Sequence, residues 1–113
     1  MEKVRQILFF KGYFLEFFAR QSEKVKEKID QVLYIITIVD RVPTKFLRHI
    51  TESDGLYEIK VEFESNIYRI FCCFDKGKVV VLFNGFQKKT SKTPRRELDR
   101  ANEIKLEYLN SKN

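Results

Sequence analysis

"GLYEIKVEFESNIYRIFCCFDKGKVVVLFNGF", residues 55–86, decides the fold. Its first segment alternates cleanly: Tyr57, Ile59, Val61 and Phe63 are apolar, while Glu58, Lys60, Glu62 and Glu64 are charged. Strand side chains alternate with a period of two, so this segment reads as a strand with one oily face. "IYRIFCCF" (67–74) and "KVVVLFNGF" (78–86) follow at once. The links are Ser65-Asn66 and, after Asp75, Lys76-Gly77. Two-residue links of this kind close hairpins, so the three strands are expected to form an antiparallel meander.

Those turns predict a register. A turn at Ser65-Asn66 pairs Glu64 with Ile67, Glu62 with Arg69 and Lys60 with Phe71. A turn at Lys76-Gly77 pairs Asp75 with Lys78 and Arg69 with Asn84. One face then holds Tyr57, Ile59, Val61, Phe63, Tyr68, Ile70, Cys72, Phe74, Val79, Val81 and Phe83, and it needs a helical cover. The other holds Glu58, Lys60, Glu62, Arg69 and Asn84 among Phe71, Leu82 and Phe86. A one-residue slip in either hairpin would exchange the faces.

The flanks supply the cover. "KVRQILFF" (3–10) reads as a short strand ended by Gly12. From Tyr13 to Val39 the period becomes helical, with Phe14, Phe17 and Phe18 in one stripe and Val25, Ile29, Val32, Leu33 and Ile36 in another. This is two helices, or one bent near Gln21-Ser22, with Ser22 as the cap of the second half. "TKFLRHITESDG" (44–55) is a connector, with at most a helical turn over 45–49. Thr93-Pro94 signals a last helix, with Thr93 as the cap and Leu98, Ala101, Ile104 and Tyr108 as its stripe; "LNSKN" should fray. The expectation is a single α+β domain over residues 1–113.

Composition narrows the chemistry. Lys and Arg number 22 against 16 acids, a net charge of +6, which favours an anionic partner. No apolar run is long enough to span a membrane, and "MEKVRQILFF" lacks the marks of a secretory signal. Cys72 and Cys73 are neighbours, pointing to opposite strand faces, so they suit a reducing cytoplasm. The one histidine, His49, sits in the connector as a surface residue. No spacing of His or Cys suggests a metal, and no serine has a histidine partner, so no metal or cofactor is expected.

Lys and Arg are what is left. Between Phe86 and Arg96 come Lys88, Lys89, Lys92, Arg95 and Arg96, with no acid among them. Arg69 lies mid-strand, and burying its charge is costly unless it is paired. It either pairs across the sheet with Glu62 or is held rigid to grip a phosphate; the basic loop favours the second. Fixed cations are enough to cleave RNA, whose 2′-hydroxyl already lies beside the phosphate. Lys88 and Lys89 would depress each other's pKa, and Phe86 would stack on a base.

Residues 55–101, with "FQKKTSKTP" and "IYRIF" as their most specific strings, resemble the HigB-like, phage-derived branch of the RelE/ParE superfamily of toxins. The resemblance implies the RelE-like fold, in which an N-terminal strand and helices pack on a three-strand meander, followed by a last helix. It implies a ribosome-dependent mRNA endonuclease acting in the A site of the 70S ribosome, neutralised by a cognate antitoxin, here a helix-turn-helix protein. On that pattern Arg69, Lys60, Lys88 and Lys89 are catalytic, and Phe86, Lys92, Asn84 and Arg95 bind RNA. Asn84 stands where many relatives have His, which leaves the general acid or base unassigned. The alternatives are a gyrase poison of the ParE kind and an inactive homologue that only binds its partner.

Overall fold

The computed structural model describes residues 2–112. Among these, three helices and five strands follow the order β1 (Gln6–Phe9), α1 (Tyr13–Ala19), α2 (Glu23–Ile38), β2 (Leu47–His49), β3 (Tyr57–Phe63), β4 (Asn66–Asp75), β5 (Val79–Lys88) and α3 (Arg95–Ser111). The strands form one mixed sheet in the order β1-β5-β4-β3-β2. β1 runs parallel to β5, and the other neighbours are antiparallel. The fold is α+β, with one five-stranded mixed sheet in place of the expected N-terminal strand and three-strand meander.

Two helices, not one bent helix, follow β1. Ser22 caps α2 by accepting a hydrogen bond from the Val25 amide at 3.3 Å. At the other end Arg5 donates to the carbonyls of Ile36 (3.1 Å) and Val39 (2.6 Å), groups a helix leaves unsatisfied. The chain before β1 is thereby tied to the end of α2, and the expected strand over 3–10 shortens to Gln6–Phe9. Phe14, Phe17, Val25, Ile29, Val32, Leu33 and Ile36 pack on one sheet face against Ile59, Val61, Ile70, Val80 and Leu82.

The opposite face is covered as well. Ala101, Ile104 and Tyr108 of α3 meet Leu56, Phe71, Cys73, Val81, Phe83 and Phe86. The helix begins one residue later than Thr93-Pro94 suggests, with Pro94 at the cap and no side-chain capping bond, and it continues through the stretch expected to fray as far as Ser111.

The register departs from expectation in three places. The first turn is Glu64-Ser65, so Phe63 pairs with Asn66, Lys60 with Arg69 and Glu58 with Phe71. Glu64 adopts a left-handed φ of 55° there. The second link takes three residues, because Asp75 pairs with Val79. Lys76 (φ 55°) and Gly77 (φ 78°) supply the left-handed conformations it needs. This moves Val80 and Leu82, rather than Val79, Val81 and Phe83, to the α1–α2 face. A bulge between Ile70 and Cys72 then adds one residue to β5, so Ile70 pairs with Gly85 and Arg69 with Phe86, not with Asn84. The connector also holds a strand: β2 pairs Leu47 with Ile59 and Arg48 with Glu58.

Gly85 marks a close approach of helix and sheet. A Cβ there would lie 2.5 Å from Cδ2 of the buried Phe17 ring, whereas one at Gly12 would meet nothing within 4 Å. In urea unfolding, Gly85→Ala is expected to cost about 1–3 kcal/mol by overpacking. Gly12→Ala should stay within about 0.5 kcal/mol of the parent.

Candidate functional site

The corrected register sets Lys60 beside Arg69, with Glu58 on the same sheet face. Glu58 (3% exposed) and Arg69 (6%) are both buried. Buried charges persist only when paired, and here they are: Arg69 Nη1 donates to Glu58 Oε1 at 2.6 Å. Arg48, brought by β2 to the position opposite Glu58, donates to the same oxygen. One carboxylate thus holds two guanidiniums, and the trio keeps one net positive charge. Arg69 Nε is buried without a hydrogen-bond partner. Thr44, Lys45, Arg48, Glu58, Lys60 and Arg69 line a hollow of about 240 Å³ over this trio.

Lys88 completes the group. Burial pushes its pKa below the usual lysine value, and the positive charges of Arg69, Lys60 and Arg48 push in the same direction, against Glu58. Lys88 pairs with Ile67 and so shares the sheet face of Arg69, in the field of the charges that line the hollow. Lys60 is partly exposed, with Nζ 3.0 Å from Glu62 Oε1. Fixed positive charge, a lysine with a depressed pKa and an open hollow together suit binding of a phosphate and transfer of a proton to it.

The other residues singled out in the sequence lie elsewhere. Lys89 lines a separate groove with Arg20, Arg96 and Arg100. The charges that lower the Lys88 pKa are those of Arg69, Lys60 and Arg48, not that of its neighbour Lys89 as expected. Phe86 is 9% exposed and stacks on Phe71 with centroids 5.7 Å apart, as part of the core under α3. Asn84 is buried and ties α3 down: its Nδ2 donates to the carbonyl and the carboxylate of Glu97, at 3.2 and 3.3 Å. Lys92 is exposed in the loop, where its carbonyl accepts from Thr90. Arg95 is exposed and pairs with Asp99 at 3.1 Å. Arg69 pairs with Glu58 and not with Glu62.

Sequence reading missed Arg48 and the role of Glu58. Arg48 sat in what looked like a connector, since three residues show no alternation. Glu58 was visible as a charge on the polar face, but the register placed it two positions too far along. Among the described residues, no three of His, Cys, Asp and Glu gather closely enough to hold a metal ion. No helix among them is long and apolar enough to cross a membrane.

Residues 16–105 match the family described as phage derived protein Gp49-like (DUF891), a stretch that holds every residue of the hollow. No curated protein matches the chain.

The field at Lys88 is open to titration. By NMR, its side chain should lose its proton below the ordinary lysine value near 10.5. Arg48→Gln should move the Lys88 pKa back up by removing a positive neighbour. Since the folded pKa is below the unfolded value, the unfolded chain binds this proton more tightly. Lys88 therefore lowers stability below its folded pKa, and that loss is recovered as pH rises towards the ordinary lysine value near 10.5.

Proposed function

We propose, since the chain belongs to the phage-derived Gp49-like family, a toxin-like family of the RelE kind, that it is the toxin of a toxin–antitoxin pair. Its activity on this reading is metal-free cleavage of mRNA on the ribosome, in the cytoplasm, held in check by a cognate antitoxin. The observation that carries the reading is that Arg48, Lys60 and Arg69 line one open hollow, with Lys88 on the same sheet face.

The geometry supports the following roles. Arg69 and Arg48, fixed by Glu58, present N–H groups to the non-bridging oxygens of the scissile phosphate, and Lys60 adds charge at the rim. The ribose 2′-oxygen attacks phosphorus and gives up its proton to solvent. The bond from phosphorus to the 5′-oxygen breaks, leaving a 2′,3′-cyclic phosphate. The Lys88 ammonium delivers a proton to the departing 5′-oxygen, a role that a lowered pKa makes easier. A buried, paired Arg69 costs no reorganisation at the moment of reaction.

Mapping mRNA 5′ ends after expression of the chain tests this. The parent should cut within translated messages, and Lys88→Ala should slow cutting by about 10²–10⁴-fold. Lys88→Arg, which keeps the charge without an easily lost proton, should also be slow. For the parent, the rate should fall as pH rises through the Lys88 pKa, because the donor is the protonated form. Intact messages accompanied by stalled replication would overturn the nuclease reading in favour of a gyrase poison.

A further inference from the structure

The outer edge of β5 carries a second basic surface, apart from the Glu58 hollow. The ladder to β1 ends at the pair Phe9 and Leu82, while β5 runs on to Lys88. From Phe83 onward β5 is laddered only to β4. A groove of about 450 Å³ follows this stretch, with Phe17 and Arg20 of the α1 end on one wall and Arg96 and Arg100 of α3 on the other. Gly85 lines it, and a glycine presents only main chain. Lys89 lines it too. Among the described residues Arg20, Lys89 and Arg100 form no ion pair. The groove's one acid, Glu97, is engaged by Asn84 and lies 4.0 Å from the largely exposed Arg96 guanidinium.

We propose that this groove takes an extended acidic peptide segment of another chain, added as a strand to β5 beyond Leu82. Two features argue for a peptide. A strand edge paired on one side offers main-chain donors and acceptors at the strand repeat, which a peptide matches and a nucleic acid does not. The unpaired cations on both walls ask for acids on the incoming strand. The site does not use the Glu58 hollow, so it stands or falls separately from RNA cleavage.

The test uses the full chain and a short fluorescent peptide alternating Glu and Val, read by anisotropy. The same peptide N-methylated on alternate residues and a short oligouridylate serve as further probes. The Glu-Val peptide should bind, and N-methylation should weaken it by about tenfold or more, because it removes ladder hydrogen bonds while leaving charge intact. Arg20→Glu combined with Arg96→Glu should weaken it similarly, with the fold checked by circular dichroism. Amide exchange at Gly85 or Gln87 should slow on binding. Absence of binding would overturn the proposal, as would equal binding of the N-methylated peptide. Tighter binding of oligouridylate that depends on Arg20 and Arg96 would overturn it too, making the groove a nucleic-acid surface. These outcomes hold whether or not the chain cuts mRNA.

Discussion

A single buried carboxylate, that of Glu58, anchors the polar side of this molecule. It accepts from Arg69 on β4 and from Arg48 on β2, the strands on either side of its own. Removing it would leave a buried guanidinium unpaired, a loss on the order of 3–5 kcal/mol for such sites. That is a large part of the stability of a domain this small. The same bond fixes the cation on the sheet floor, where its N–H groups face the hollow without first being ordered. Stability and the proposed chemistry therefore depend on one interaction.

The bulge in β5 is the second determinant. Up to Leu82 the strand pairs with β4 in one register, and from Gly85 onward it is displaced by one residue. Without the extra residue Arg69 would sit opposite Gly85, and Lys88 would turn to the α1–α2 face. With it, Phe86 and Lys88 share the face of Arg69. The bulge thus lets one strand contribute Val80 and Leu82 to one core and Phe83 and Phe86 to the other, and then put Lys88 on the face of Arg69. Asn84, within the same irregular stretch, holds the start of α3 through Glu97.

The alternation of Tyr57 to Glu64 made β3 and its two faces legible in the sequence, and the helical stripes of α2 and α3 were equally plain. Faces survived the misplaced first turn because moving it from Ser65-Asn66 to Glu64-Ser65 shifts the pairing by two, which keeps the parity. The three-residue second link shifts it by one, so Val79 to Phe83 were assigned to the wrong sides. The bulge restored the parity, which is why Phe86 lies on the face of Arg69 as expected, on a faulty count. A glutamate with positive φ carries no turn signal of the Asn-Gly kind, and a bulge has no composition of its own. Phe86 and Asn84 look like ligand-binding residues beside a basic loop. Only the position of α3, which covers that end of the sheet, makes one a core residue and the other a tether.

The most direct measurement is an NMR titration of the chain with a short RNA whose 2′-hydroxyls are replaced by hydrogen, so that it binds without being cut. The account predicts that the side-chain signals of Arg69 Nε and Lys88 Nζ move first and saturate together. Shifts confined to Lys89, Arg96 and Arg100, with Arg69 and Lys88 unmoved, would contradict it.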